Sequence, residues 1–168
     1  SLRDTMKAAA LFGLPPEDHW RYSVTDYDEE PTAFVYAMAQ SFKAAEYYRL
    51  DTSGTTPEML LERIKANCYA GLPCMFGTGW YSCASQAETN GGGVPYPVAG
   101  DTLIGGHALC VAGYSDDFVI KNSTNGSTTT GALLIRNSWG PAWALRGYAW
   151  LAYDYVLKGL AVDFWSLN

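Results

Sequence analysis

Two apolar stretches thirty residues apart constrain this chain more than any other feature. Residues 105–114 read GGHALCVAGY, and residues 133–143 read LLIRNSWGPAW, followed by Arg146-Gly147-Tyr148. Each is typical of a short strand with one polar residue at its end, so that His107 opens the first and Asn137 closes the second. Neighbouring strands would bring the imidazole and the amide together. An amide that accepts a ring N–H fixes the tautomer of a histidine, as acyl-transfer chemistry requires of a general base.

The pattern G-G-H-A-x-x-V-x-G-Y, then I-R-N-S-W-G-x-x-W and G-Y, resembles the papain-like, C1-type cysteine peptidases, best from about residue 71 onward. The resemblance places the catalytic histidine at His107 and the catalytic asparagine at Asn137. It implies that Trp139 shields their hydrogen bond from water and that Trp143 lines the leaving-group side of the cleft. The implied activity is that of a cysteine endopeptidase, which hydrolyses peptide bonds through a thiolate–imidazolium pair and an acyl-enzyme.

The same resemblance places three small residues around the main specificity pocket: Gly77, Gly106 and Ala108. Side chains this small would leave that pocket open rather than filled. The implied fold is α+β and papain-like, with an antiparallel, barrel-like sheet lobe and a fragment of the helical lobe. We expect residues 1–45 to belong to the helical lobe and residues 46–168 to form the β-rich lobe that carries His107 and Asn137.

The chain departs from the family pattern at the nucleophile. Members of the family carry their reactive cysteine in a C-G-x-C-W-like or S-C-T-like context, just after an oxyanion-hole glutamine. None of the four cysteines has this context: Cys68, Cys74, Cys83 and Cys110. We therefore expect a C-terminal part of a two-chain or processed peptidase, inactive alone. Its expected partners are an N-terminal Cys-bearing segment or chain and a peptide or protein substrate.

Composition and charge argue against several other kinds of partner. Hydrophobic residues make up 48% of the 168 residues and charged residues 17%, which is typical of a globular domain. The net charge is −6 and no Lys/Arg cluster is present, so nucleic acid is not an expected partner. No apolar run has the length of a membrane span, and no membrane partner is expected. We expect no cofactor and no metal, because the cysteine spacing does not match a zinc pattern.

Two further features of the sequence leave alternatives open. A disulfide among Cys68, Cys74 and Cys83 is possible, since they lie close together in an even set of four cysteines. Asn122 and Asn125 each begin a glycosylation sequon, but a Ser/Thr-rich loop gives the same pattern by composition. The sequence does not determine the compartment, although a secreted or lysosome- or vacuole-like one is favoured.

The spacing of apolar residues along the sequence predicts most of the helices and strands. The predicted helices cover residues 1–13, 32–44 and the stretch from Thr55 or Thr56 to Gly71, the last with a capping box from Thr55 to Glu58. In that last helix one apolar stripe is predicted: Leu60, Leu61, Ile64 and Cys68. The predicted strands cover residues 46–50, 73–79, 148–153 and 162–165, besides the two of the motifs. Long loops are predicted at 87–105 and 123–131, and a turn at Asp116-Asp117.

Three functions fit these observations. The first is the His/Asn-bearing part of a cysteine peptidase. The second is a catalytically inactive papain-fold module that binds peptides in the cleft, which the missing nucleophile favours. The third is a papain-fold acyltransferase, in which an amine replaces water as the acceptor of the acyl group.

Overall fold

The structure is a computed structural model that describes all 168 residues. Its helices are α1 (Leu2–Leu11), α2 (Ala33–Ala39), α3 (Pro57–Tyr69) and α4 (Asp154–Leu157), with 3₁₀ helices at Gln40–Phe42 and Ser82–Glu88. Its strands are β1 (Tyr47–Arg49), β2 (Cys74–Tyr81), β3 (Gly93–Val94), β4 (Leu103–Lys121), β5 (Thr128–Arg136), β6 (Tyr148–Ala152) and β7 (Ala161–Leu167). The chain forms two compact units, Ser1–Tyr48 with Leu167–Asn168, and Arg49–Ser166.

In the first unit, α1 begins at a capping box between Ser1 and Asp4. It ends before Gly13, which has φ of +85°. A Cβ at Gly13 would collide with the carbonyl oxygen of Ala39 at the end of α2, so only glycine allows this close approach. The predicted helix 32–44 is shorter, because α2 gives way to a 3₁₀ turn at Gln40.

The predicted helix that ends at Gly71 is present as α3, with a different N-terminal cap. Thr56 accepts a hydrogen bond from the N–H of Met59, so the capping box predicted from Thr55 to Glu58 is wrong. Pro57 occupies the first turn, where it loses no intrahelical bond. The predicted apolar stripe points inward, although its last member, Cys68, is only half-buried. Gly71 follows the helix with φ of +78°.

The seven strands form one mixed sheet in the order β1-β7-β2-β4-β5-β6-β3. All the pairs with a resolved register are antiparallel except β3–β6, which is parallel. One face of the sheet is buried against a core whose largest fully buried side chains include Tyr155, Phe76, Phe164 and Ile64. None of the helices has the length and apolar character needed to cross a membrane.

Three sequence-based expectations about the region around the motifs are wrong. The predicted loop 87–105 contains part of a 3₁₀ helix, β3 and the start of β4, so His107 lies inside a strand rather than opening it. The predicted loop 123–131 is shorter, because β5 already begins at Thr128. The predicted turn at Asp116-Asp117 is a bulged part of β4, where the carboxylate of Asp116 accepts from Tyr153 Oη and pairs with Lys65.

A partly buried carboxylate, that of Asp51, connects the start of the second unit to β7. Asp51 accepts hydrogen bonds from the backbone N–H groups of Asp163 and Phe164, at 2.8 and 3.0 Å, and pairs with Arg49 at 2.8 Å. Burial opposes ionisation of Asp51, but the guanidinium of Arg49 and backbone N–H donors that include Asp163 outweigh it and lower the pKa of Asp51 below its usual value. This carboxylate therefore stabilises the fold most when it is ionised.

Replacing Asp51 with asparagine is expected to lower the free energy of unfolding by about 1.5–3 kcal/mol at neutral pH, since charged hydrogen bonds are lost. A depressed folded pKa gives stability above the unfolded pKa that disappears as the pH falls through the folded one. The deficit of the variant should thus shrink in urea titrations from pH 7 down to pH 2. The exposed Asp117→Asn change is the control, and an equal deficit in both variants at pH 7 would contradict this role of Asp51.

Candidate active site

The two motif strands bring His107 and Asn137 into contact. β4 and β5 are antiparallel neighbours, with Cys110 opposite Arg136, and Asn137 directly follows β5. The ring Nε2 of His107 lies 2.9 Å from Oδ1 of Asn137. Asn137 is 6% exposed, and its backbone N–H donates to the carbonyl of Gly147 at 2.9 Å. The asparagine is thus held on both its main chain and its side chain.

A backbone donor determines which atom of the amide faces the histidine. The N–H of Ser138 donates to Oδ1 of Asn137 at 2.8 Å, which identifies that atom as the oxygen. Because a carbonyl oxygen only accepts, Nε2 of His107 must carry the proton that it shares with Asn137. In the neutral ring the lone pair is then on Nδ1, which has no hydrogen-bond partner in this chain. His107 is therefore oriented to accept a proton through Nδ1.

Two indole rings enclose the imidazole. Trp139 stacks on His107 with centroids 5.0 Å apart and an interplanar angle of 25°, and Trp80 meets it edge-on at 5.2 Å. Trp139 is 52% exposed whereas Trp80 is 4% exposed. The outer indole covers the ring on its solvent side, and the inner one supports it from the core. A hydrogen bond screened from water in this way is electrostatically stronger.

Sequence analysis missed Trp80, because it ended the strand at Gly79. The signal was available in the alternation of β2, where Phe76, Thr78 and Trp80 are buried on one face. Thr78 lies opposite His107 in the register, which places Trp80 on the face of the sheet that carries the imidazole.

Trp143 lies behind the outer indole and not at the surface. It is 7% exposed, and its ring is 5.6 Å from Trp139 and 6.3 Å from Trp80. The three indoles line one side of a cavity of about 260 Å³ that Tyr81 and Ile104 also line. A largely apolar cavity beside the imidazole is the kind of space that holds a substrate side chain.

The three small residues expected at a specificity pocket lie on the face of the sheet opposite to the one that carries His107. Gly77 is opposite Ala108 and Gly106 is opposite Gly79, and residues at these positions alternate with His107 along β4. Ala108 lines a cleft of about 450 Å³, whereas Gly77 and Gly106 are not among the residues that line it. A Cβ at Gly106 would meet no atom within 4 Å, so this position is open.

None of the four cysteines is poised to react. All are free thiols, so the disulfide that the sequence allowed is not formed. Burial raises the pKa of Cys68 and of Cys83 to about 11, and raises those of Cys74 and Cys110 as well. Cys110 is three residues from His107 along β4, which is roughly 10 Å, and points to the opposite face.

The first glycosylation sequon lies in a folded turn. Asn122 is 2% exposed, and its amide accepts from Gln86 Nε2 and from the N–H of Thr124 while donating to the carbonyl of Tyr96. The side chain of Asn122 is therefore buried, and both its oxygen and its nitrogen are hydrogen-bonded within the protein. Asn125, which begins the second sequon, is exposed.

Comparison with known proteins connects this geometry to a family. No protein-family model matches the sequence. A protein of Acanthamoeba polyphaga mimivirus named "Uncharacterized peptidase C1-like protein L477" is 34% identical over 170 residues, which cover 99% of this chain and 51% of that protein. The chain therefore spans about half the length of this curated relative.

Solved structures of cysteine proteases share the fold of this chain. Xylellain, a cysteine protease from Xylella fastidiosa, is 29% identical with a TM-score of 0.69, and the match covers 99% of this chain and 60% of xylellain. The bromelain protease from Ananas comosus, 15% identical, has a TM-score of 0.57 over 98% of this chain and 66% of its own. Digestive procathepsin L2 from Tenebrio molitor, 20% identical, has a TM-score of 0.61 over 97% of this chain and 45% of its own.

Proposed function

We propose a function from one premise: the chain has the papain-like fold and is related to C1-type cysteine peptidases along its whole length. It supplies the histidine and asparagine of a cysteine peptidase site, and the nucleophilic thiol comes from a segment outside these 168 residues. The observation that carries the proposal is the contact between His107 Nε2 and Asn137 Oδ1, which leaves Nδ1 free to accept a proton.

In this proposal the thiol of the missing segment faces Nδ1 of His107. The imidazole takes the thiol proton and gives a thiolate–imidazolium pair. The thiolate attacks the carbonyl carbon of the peptide bond, and His107 returns the proton to the leaving amine. Water, deprotonated by the same ring, then hydrolyses the acyl-enzyme and regenerates the thiol. Asn137 keeps the ring in one orientation throughout, and Trp139 limits the access of water to their hydrogen bond.

Two features of the chain support a thiol supplied from outside. The four cysteines are protonated at neutral pH and none contacts the imidazole, so they do not provide the nucleophile. The first unit also exposes several large apolar side chains: Leu11 52%, Phe12 52%, Leu14 49%, Phe34 62% and Phe42 51%. Exposed apolar surface of this kind suits a packing partner, here the remainder of the helical lobe.

The four thiols are expected to resist an electrophilic epoxide at neutral pH, because burial raises the pKa of each one. For Cys68 and Cys83, a pKa of about 11 leaves roughly one thiolate in 10⁴ at pH 7. The measurement is a denaturing intact-mass spectrum of the natural protein, with N-terminal sequencing, before and after the epoxide is added. A labelled cysteine on a segment outside residues 1–168 would support the proposal. Rapid labelling of Cys68, Cys74, Cys83 or Cys110 would contradict it.

A non-catalytic peptide-binding module is the second candidate, because the chain itself holds no activated thiol. It predicts peptide binding without any thiol that the epoxide labels in the natural protein. An acyltransferase, like a peptidase, would contain a thiol that the epoxide labels. Product analysis with and without an added primary amine separates these two, since only the acyltransferase transfers the acyl group to the amine in preference to water.

A further inference from the structure

Most of the net negative charge of the chain lies in one surface segment, residues 16–31. Its charged residues are the carboxylates Glu17, Asp18, Asp26, Asp28, Glu29 and Glu30, and the cation Arg21. Six acids and one base, with His19 neutral, give this segment a formal charge of −5 out of the −6 of the whole chain. The other 152 residues therefore sum to −1, and the negative field of the protein originates mainly here.

The segment also forms a groove of about 350 Å³. Its walls combine three aromatic rings with three carboxylates, namely Trp20, Tyr22, Tyr27, Glu17, Asp26 and Glu29. Arg21 lines it too, so the walls carry a net charge of −2. The rings of Tyr22 and Tyr27 are 80% and 83% exposed, which leaves their faces free for a ligand.

Hydrogen bonds within the segment support the walls of the groove. The backbone N–H of Tyr22 donates to Oε1 of Glu17 at 2.8 Å, and the N–H of Glu29 donates to the carbonyl of Asp26 at 3.1 Å. The first bond joins the main chain at Tyr22 to the side chain of Glu17. The second holds the two remaining carboxylates in one turn. The backbone of the groove is thus partly fixed before any ligand arrives, which lowers the entropic cost of binding.

We propose that this groove binds a basic peptide segment that contains arginine. A guanidinium stacks on an aromatic face and forms two parallel hydrogen bonds to a carboxylate, and this groove presents both kinds of group side by side. Lysine offers a point charge without the planar fork, so an arginine peptide is preferred to a lysine peptide. The groove lies in the first unit and His107 lies in the second, so this inference does not depend on the proposed peptidase function.

The test uses the full natural protein that contains these 168 residues and a fluorescently labelled octapeptide of alternating arginine and alanine, with anisotropy as the readout. Binding should weaken as salt is added, because the groups are exposed and their attraction is screened. The matched peptide with lysine should bind more weakly, and one with glutamine should not bind. Equal affinity for the glutamine peptide would overturn the proposal.

Paired variants separate the groove from the general charge of the segment. Asp26→Asn with Glu29→Gln removes two carboxylates of the wall, and should weaken binding about three- to tenfold. Asp28→Asn with Glu30→Gln removes the same charge from the same segment outside the groove, and should have a clearly smaller effect. Equal weakening by the two pairs would show attraction by bulk charge only, and would overturn the proposed site.

A second pair tests the aromatic wall. Tyr22→Ala should weaken binding of the arginine peptide about two- to fivefold, the range of an exposed cation–π contact. Tyr69 is 88% exposed and lies at the end of α3, so Tyr69→Ala is the control and should leave the affinity unchanged. An unchanged affinity in the Tyr22 variant would show that the rings take no part, and the site as proposed would be wrong.

Discussion

If the proposed function is right, replacing His107 with glutamine is expected to lower kcat/KM for peptide hydrolysis by about 10²–10⁴-fold, the usual contribution of a general acid–base group. Glutamine keeps a polar side chain of similar length, but it neither accepts the thiol proton nor returns it to the leaving amine. The measurement is hydrolysis of a fluorogenic peptide by the full natural protein. Labelling of the proposed thiol by the epoxide should slow as well, because the thiolate is no longer formed beside the imidazole.

The other histidine of the chain provides the matched control. His19 lies in the first unit, where its ring packs edge-on against Phe34 with centroids 5.8 Å apart. His19→Gln removes the same chemical group at a position with no role in the proposed site, so kcat/KM should stay within about twofold of the unsubstituted protein. Similar losses in both variants, or full activity in the His107 variant, would contradict the proposed role of His107.

Replacing Phe164 with alanine is expected to lower the free energy of unfolding by about 3–5 kcal/mol, as is typical of large buried aromatic residues. Phe164 is 0% exposed, and its ring stacks on Phe76 at 4.9 Å with an interplanar angle of 6°. The change empties a space in the core between β2 and β7 and removes this aromatic contact. For a chain of this size the loss corresponds to a fall in Tm of about 6–20 °C, measurable by circular dichroism.

A residue on the same strand tests whether burial causes this effect. Val162 is 50% exposed, so Val162→Ala shortens a β7 side chain that contributes little to the core. Its expected cost is within about 0.5 kcal/mol. If Val162→Ala destabilised the protein as much as Phe164→Ala, β7 would be sensitive to any substitution and the stacked pair would not be the cause.

The sequence by itself determined the local elements and the approach of the two motif residues. The 3.6-residue spacing of Leu60, Leu61 and Ile64 predicted the buried face of α3, because a helix places such residues on one side. The order of the two motif strands predicted that His107 and Asn137 would meet, since strands close in sequence commonly pair. These features depend on short-range geometry, which a single sequence displays directly.

Only the tertiary structure determined the orientation of the His107–Asn137 pair and the side chains that surround it. The orientation of the Asn137 amide depends on the N–H of Ser138 and on the register of β4 against β5. Trp80 reaches His107 across the pairing of β2 with β4, and Asp116 lies in a bulged part of β4 where Lys65 of α3 pairs with it. Such contacts join residues distant along the chain, and they follow from sheet register and packing, which local periodicity does not specify.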